Sequence, residues 1–130
     1  MVDDSRNYLA HPDSILLKNG NILTMYPAGH GKGAVLNKVS TDGGRSYSST
    51  IANTPASWVN SQETPTVYRL QFTDEQMQDK LIMISANPDW GSGSTGGFNC
   101  SLSSDEGQTG RNSKPSTGKG SFRRSSRSLR

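Results

Sequence analysis

The apolar positions fall into short runs punctuated by Gly- and Asn-rich segments, the pattern of β-strands joined by tight turns. The first run, Ser14-Ile15-Leu16-Leu17-Lys18, is followed by Asn19-Gly20 and then by Asn21-Ile22-Leu23-Thr24-Met25-Tyr26. Asn-Gly between two apolar runs predicts a hairpin with a type I′ turn, in which both central residues take positive φ. A Gly-rich loop over residues 28–33 leads to a third strand over 34–39. A second series repeats the order: a strand over 66–70, a mostly polar connection over 71–80, a strand over 81–85, a Gly/Ser loop over 91–97 and a strand over 98–102. Within the connection, Thr73 and Gln76 have capping-box spacing, which predicts a short helical turn.

Composition agrees with an all-β reading. Only 30% of the 130 residues are hydrophobic and the mean hydropathy is −0.70. That is lean for a closed core and suits short strands with many turns, or a partly disordered chain. The formal charge of +3 raises the question of nucleic acid, and its distribution answers it. Seven basic residues (Arg111, Lys114, Lys119, Arg123, Arg124, Arg127 and Arg130) follow Thr109 with no Asp or Glu among them, so the body of the chain is mildly acidic. No nucleic-acid partner is expected of that body. Residues 110–130 have the composition of a disordered, low-complexity basic tail. A basic arm is one reading of that tail, and a truncation or reading-frame artefact is the other.

The single cysteine, Cys100, excludes an internal disulfide framework and lies in an alternating stretch, where a small half-buried thiol is expected. The polar, acidic start of the chain has no signal-peptide pattern, and no apolar run is long enough for a membrane helix, so a soluble chain is expected. No group of His, Cys and carboxylate residues has metal-ligand spacing along the sequence, and nothing in it points to a cofactor.

The most specific feature is a repeated turn. Ser40-Thr41-Asp42-Gly43-Gly44-Arg45-Ser46-Tyr47 and Ser103-Ser104-Asp105-Glu106-Gly107-Gln108-Thr109-Gly110 occupy corresponding places in the two series. Both follow the pattern Ser/Thr-x-Asp-x-Gly-x-Thr-Trp, with Ser46 and Tyr47 replacing Thr and Trp in the first and Gly110 replacing the aromatic in the second. The spacing has a local rationale. The Asp accepts hydrogen bonds from backbone just ahead of it, the Gly supplies positive φ, and the aromatic packs the turn onto the sheet.

These motifs resemble the Asp boxes (BNR repeats) of the sialidase superfamily, over roughly residues 8–109. The resemblance implies a six-bladed β-propeller of four-stranded blades, the box closing the turn between the third and fourth strands of each. About two blades would be present here, in units over 8–60 and 61–109, which makes the chain an N-terminal fragment with apolar blade faces left exposed. It also implies that Asp42 and Asp105 are structural. The activity implied is that of an exo-α-sialidase or related exo-glycosidase removing a terminal sugar from a glycan, absent from the fragment alone. A non-catalytic propeller that binds carbohydrate or protein is the alternative.

Sialidases grip the substrate carboxylate with three arginines, the first in an Arg-Ile-Pro motif opening the first blade. The corresponding stretch here, Ala10-His11-Pro12-Asp13-Ser14, keeps the proline and lacks the arginine. Because inner-strand starts line the central cavity in this family, His11, Asp13 and Glu63 are candidate catalytic residues. The loop Gly29-His30-Gly31-Lys32-Gly33 lies where the family carries its acid/base aspartate. His30 is a candidate general acid or base near neutral pH, and Lys32 a candidate partner for an acidic sugar. Of the loop tryptophans, Trp90 is a candidate sugar platform, and Trp58 is expected to fill the gap between blades.

Overall fold

Residues 2–3, 8–31, 34–48, 54–60, 63–71, 78–88, 96–108 and 111–112 are described in a computed structural model. Among these residues, seven strands form two antiparallel sheets. The first has the order β1 (Asp13–Leu16), β2 (Ile22–Pro27), β3 (Val35–Ser40). The second has the order β4 (Glu63–Leu70), β5 (Lys80–Asn87), β6 (Gly97–Ser103), β7 (Arg111–Asn112). A 3-10 turn at Ala56–Asn60 precedes the second sheet. β7 lies beyond the point where the composition turns basic, so strand pairing carries on into the first residues assigned to the tail. The helical turn expected at Thr73 and Gln76 falls outside the described residues.

The first hairpin forms where expected but through a different turn. Gly20 N–H donates to Leu17 O at 3.0 Å and Leu17 N–H donates to Asn21 O at 2.8 Å. Gly20 has φ 85°, whereas Asn19 is not in the positive-φ region. This is a three-residue loop, a type I turn completed by a left-handed glycine, rather than type I′. Asn19 instead uses its Oδ1 to accept the Asn21 N–H at 3.0 Å, which holds it in the turn without positive φ.

The two sheets face each other across one apolar core of Leu17, Leu23, Met25, Val35, Trp58, Val67, Leu81 and Met83, with Ile15 and Val39 packed at its edge. Strand alternation supplies these side chains: Leu81, Met83 and Ser85 are buried along β5, and the residues between them are half-buried. Trp58 fills the gap between the sheets as expected, and its Nε1 donates to Ser101 Oγ of β6 at 2.9 Å. The opposite face of the first sheet is closed near the N-terminus. There the buried Tyr26 hydroxyl donates to Asp3 Oδ2 at 2.6 Å, and Lys38 Nζ lies 3.2 Å from the same oxygen. The far face of the second sheet carries Tyr68, Ile82, Phe98 and Leu102, with Tyr68 and Phe98 exposed.

The repeated turns have one frame. Ser40 Oγ donates to Asp42 Oδ1 at 2.8 Å and accepts from Gly44 N–H at 2.8 Å. Ser103 Oγ does the same with Asp105 Oδ1 at 2.7 Å and Gly107 N–H at 2.8 Å. Asp42 also accepts from the Arg45 and Ser46 amides and from Ser46 Oγ. The Ser46 hydroxyl is foremost among the bonds that hold its carboxyl down at about 2. The second turn follows β6 and precedes β7, the third and fourth strands of its sheet. Thr109 and Gly110 lie outside the described residues.

Candidate functional site

Antiparallel pairing sets the geometry of the site. Asp13 opposes Met25, so the entry to β1 lies beside the exit of β2, and β1 and β2 both pack against β4. The segment before β1, the loop after β2 and the first residue of β4 therefore meet at one end of the two sheets. Three side chains converge there. Glu63 Oε1 lies 3.1 Å from His30 Nδ1, and Glu63 Oε2 lies 4.0 Å from His11 Nε2. The imidazole rings are 5.3 Å apart between centroids. Both histidine side chains are about half exposed, whereas the Glu63 side chain is 8% exposed.

The local backbone is built to present these groups. His11 has φ 46° and Thr64, directly after Glu63, has φ 43°. Positive φ is costly for any residue with a Cβ and most of all for a β-branched one. The pairing of β4 with β5 shifts register between Glu63 and Thr66, a bulge of the kind that re-aims a side chain at a strand end. Glu63 is further held by Ser85 Oγ, which donates to its carbonyl at 2.8 Å. His30 stands between Gly29 and Gly31, both at positive φ, and the Ala28 N–H bond to Ala34 O at 2.9 Å closes the base of its loop.

Asp13 sits beside this cluster with a different set of partners. Its Oδ1 accepts the Ser14 N–H at 2.9 Å and its Oδ2 accepts the Val67 N–H of β4 at 2.8 Å. It ties the inner strand of one sheet to that of the other. Lys32 and Trp90 lie outside the described residues. Tyr8, which no sequence motif singles out, is exposed and meets the His30 ring edge-on with centroids 6.4 Å apart. It adds an apolar ring to the rim of a polar cluster.

Sequence spacing gives no metal-ligand pattern, yet the fold assembles one. Ligand atoms of His11, His30 and Glu63 all lie within 4.8 Å of one another. They come from three separate segments, so no local spacing could have revealed them.

No family model matches the sequence, and no curated protein matches it. Among solved structures, an α-L-arabinofuranosidase from Fusarium graminearum, in complex with an iminosugar inhibitor, is similar to it with a TM-score of 0.62 at 15% identity. The match covers 85% of this chain and 33% of that one. The fold is that of part of a β-propeller. The chain thus spans about a third of the length of the structure it matches, and its two sheets are adjacent blades. Among the described residues, no helix is long and apolar enough to cross a membrane.

Proposed function

We propose that this chain is part of a propeller glycoside hydrolase, with the His11–His30–Glu63 cluster lining the pocket for a terminal sugar of a glycan. The observation that carries the reading is the convergence of two half-exposed histidines on one buried carboxylate where two neighbouring blades open. Such a set can accept hydrogen bonds from sugar hydroxyls through Glu63 and exchange protons through either imidazole. Tyr8 supplies a face on which a sugar ring can lie. The structural likeness to an arabinofuranosidase supports the fold that this reading requires. Glycosidic cleavage ordinarily takes a pair of acidic groups across the scissile bond. Glu63 is one such group here, and its partner would come from further blades.

The sialidase-type reading rests on the repeated turns, and the cluster qualifies it. The carboxylate of an acidic sugar would meet Glu63 with like charge. Of the arginines whose side chains are described, Arg45 bonds to Asp42 O and Arg69 to Glu106. A neutral terminal sugar suits the cluster better than sialic acid.

The test is titration of the isotope-labelled chain with methyl α-L-arabinofuranoside, methyl galactoside and sialyllactose, followed by NMR. Saturable shifts at His11, His30 and Glu63 are expected with a neutral sugar, and they should vanish in Glu63→Gln. Shifts confined to other residues, or none with any sugar, would overturn the reading. The same chain should release no aglycone from nitrophenyl glycosides.

A further inference from the structure

We infer that His11, His30 and Glu63 form a binding site for a divalent transition metal of the zinc class. Two imidazoles and one carboxylate are a recurrent donor set for such ions, with the remaining coordination positions left to water or substrate. Bonds of roughly 2.0–2.2 Å place two ligands of a tetrahedral zinc about 3.3 Å apart. The two separations, 3.1 Å and 4.0 Å, bracket that value. The half-exposed imidazoles leave the solvent side of the cluster open, so side-chain rotation alone can bring the donors onto an ion.

A second, independent observation points to a cation. Glu63 Oε1 is buried and has no hydrogen-bond partner among the described residues. His30 Nδ1 approaches it to 3.1 Å but not along a hydrogen-bonding direction. A buried carboxylate oxygen without a donor is costly. A metal ion between that oxygen and the imidazole nitrogens would give the oxygen a directly bound partner. The unusual backbone at His11 and Thr64 then acquires a reason, since it holds two of the three ligands at the entries to strands of different blades.

Other clusters carry less. The Arg69–Glu106 and Lys38–Asp3–Tyr26 groups are satisfied within themselves. The apolar far face of the second sheet is what a following blade would cover.

The inference does not rest on the sugar reading but bears on it: it concerns the same three side chains, and a bound ion would offset the negative charge of Glu63 that favours a neutral sugar, so Zn²⁺ uptake is measured on the chain without sugar. It is tested on the tag-free 130-residue chain, whose only two histidines are both in the cluster. Calorimetric titration with Zn²⁺ is expected to show one ion per chain. Titration with Co²⁺ should give the intense visible absorption of a four-coordinate site. Single replacement of His30 by Ala should weaken binding at least ~10-fold, and His11→Ala should do likewise. Both side chains are half exposed, so these variants are expected to keep the wild-type circular dichroism. Glu63→Gln serves as a third variant, read beside its own unfolding curve. Absence of saturable Zn²⁺ uptake, or equal affinity in the double histidine variant, would overturn the proposal.

Discussion

Glu106, in the turn that closes the second sheet, grips Arg69 of β4 with both carboxylate oxygens while Oε2 also accepts the Lys18 N–H of the first hairpin at 2.9 Å. Arg69 Nη2 donates in turn to Leu16 O at 3.3 Å. One bidentate pair within the second blade thus reaches across to the backbone of the first. The Arg69 hydrogen bond, followed by the Lys18 amide, holds the Glu106 carboxyl down at about 2 from an ordinary value of 4.5. A depressed carboxylate contributes stability that is complete above the unfolded-state value and lost as pH falls towards the folded-state value. Urea unfolding is therefore expected to lose roughly 1–2 kcal/mol of stability from this group between about pH 5 and pH 2. Glu106→Gln should be less stable than wild type at neutral pH and show a flatter acid limb. Parallel acid limbs in the two proteins would count against the clamp.

Glycines in the two turns should differ sharply in tolerance. A Cβ on Gly107 would stand 2.9 Å from Leu23 Cδ2, in the core, besides being strained at φ 86°. A Cβ on Gly43 would meet nothing within 4 Å, so only its φ of 72° opposes substitution. Gly43→Ala is expected to cost about 1 kcal/mol and Gly107→Ala roughly 2–4 kcal/mol. The difference in urea midpoints checks this.

Trp58 offers a way to separate packing from hydrogen bonding at the blade interface. Phenylalanine in its place keeps most of the buried ring and removes the donor to Ser101 Oγ, at a cost of about 1 kcal/mol. Alanine opens a cavity and should cost roughly 3–5 kcal/mol. Similar losses for the two variants would mean that the ring contributes little.

Tyr26 should hold its proton unusually far into the alkaline range. Burial, with the Asp3 hydrogen bond and charge behind it, raises its hydroxyl well above the usual value of 10. In an alkaline ultraviolet titration, one of the four tyrosines is expected to stay protonated until the chain unfolds. That late step should be missing in Tyr26→Phe.

The repeat, the strand order and the two Ser/Asp/Gly turns were legible because each depends on residues within a few positions of one another. The hairpin at Asn19-Gly20 forms where the sequence predicts, through a different turn type. Asn-Gly favours type I′, but the Asn19 side chain can satisfy a type I turn equally well. The site was legible only in part. His11, His30 and Glu63 stand out singly in the sequence, at strand entries and in a Gly-rich loop, whereas their meeting depends on β1 and β2 packing against β4. In the sequence Asp13 reads as one more pocket carboxylate, and its bond to the Val67 amide leaves no local trace because 54 positions separate the two. Tyr8 carried no signal at all.

Where the first turn has Gly43, the second has Glu106 in the same left-handed conformation, at φ 57°. The repeated unit has been individualised at the position its own frame needs least. A left-handed glutamate carries a modest conformational penalty, and its bonds to Arg69 and Lys18 outweigh it. The outcome is a latch: the second blade clasps the backbone of the first hairpin with a charge pair of its own, beside the apolar fit.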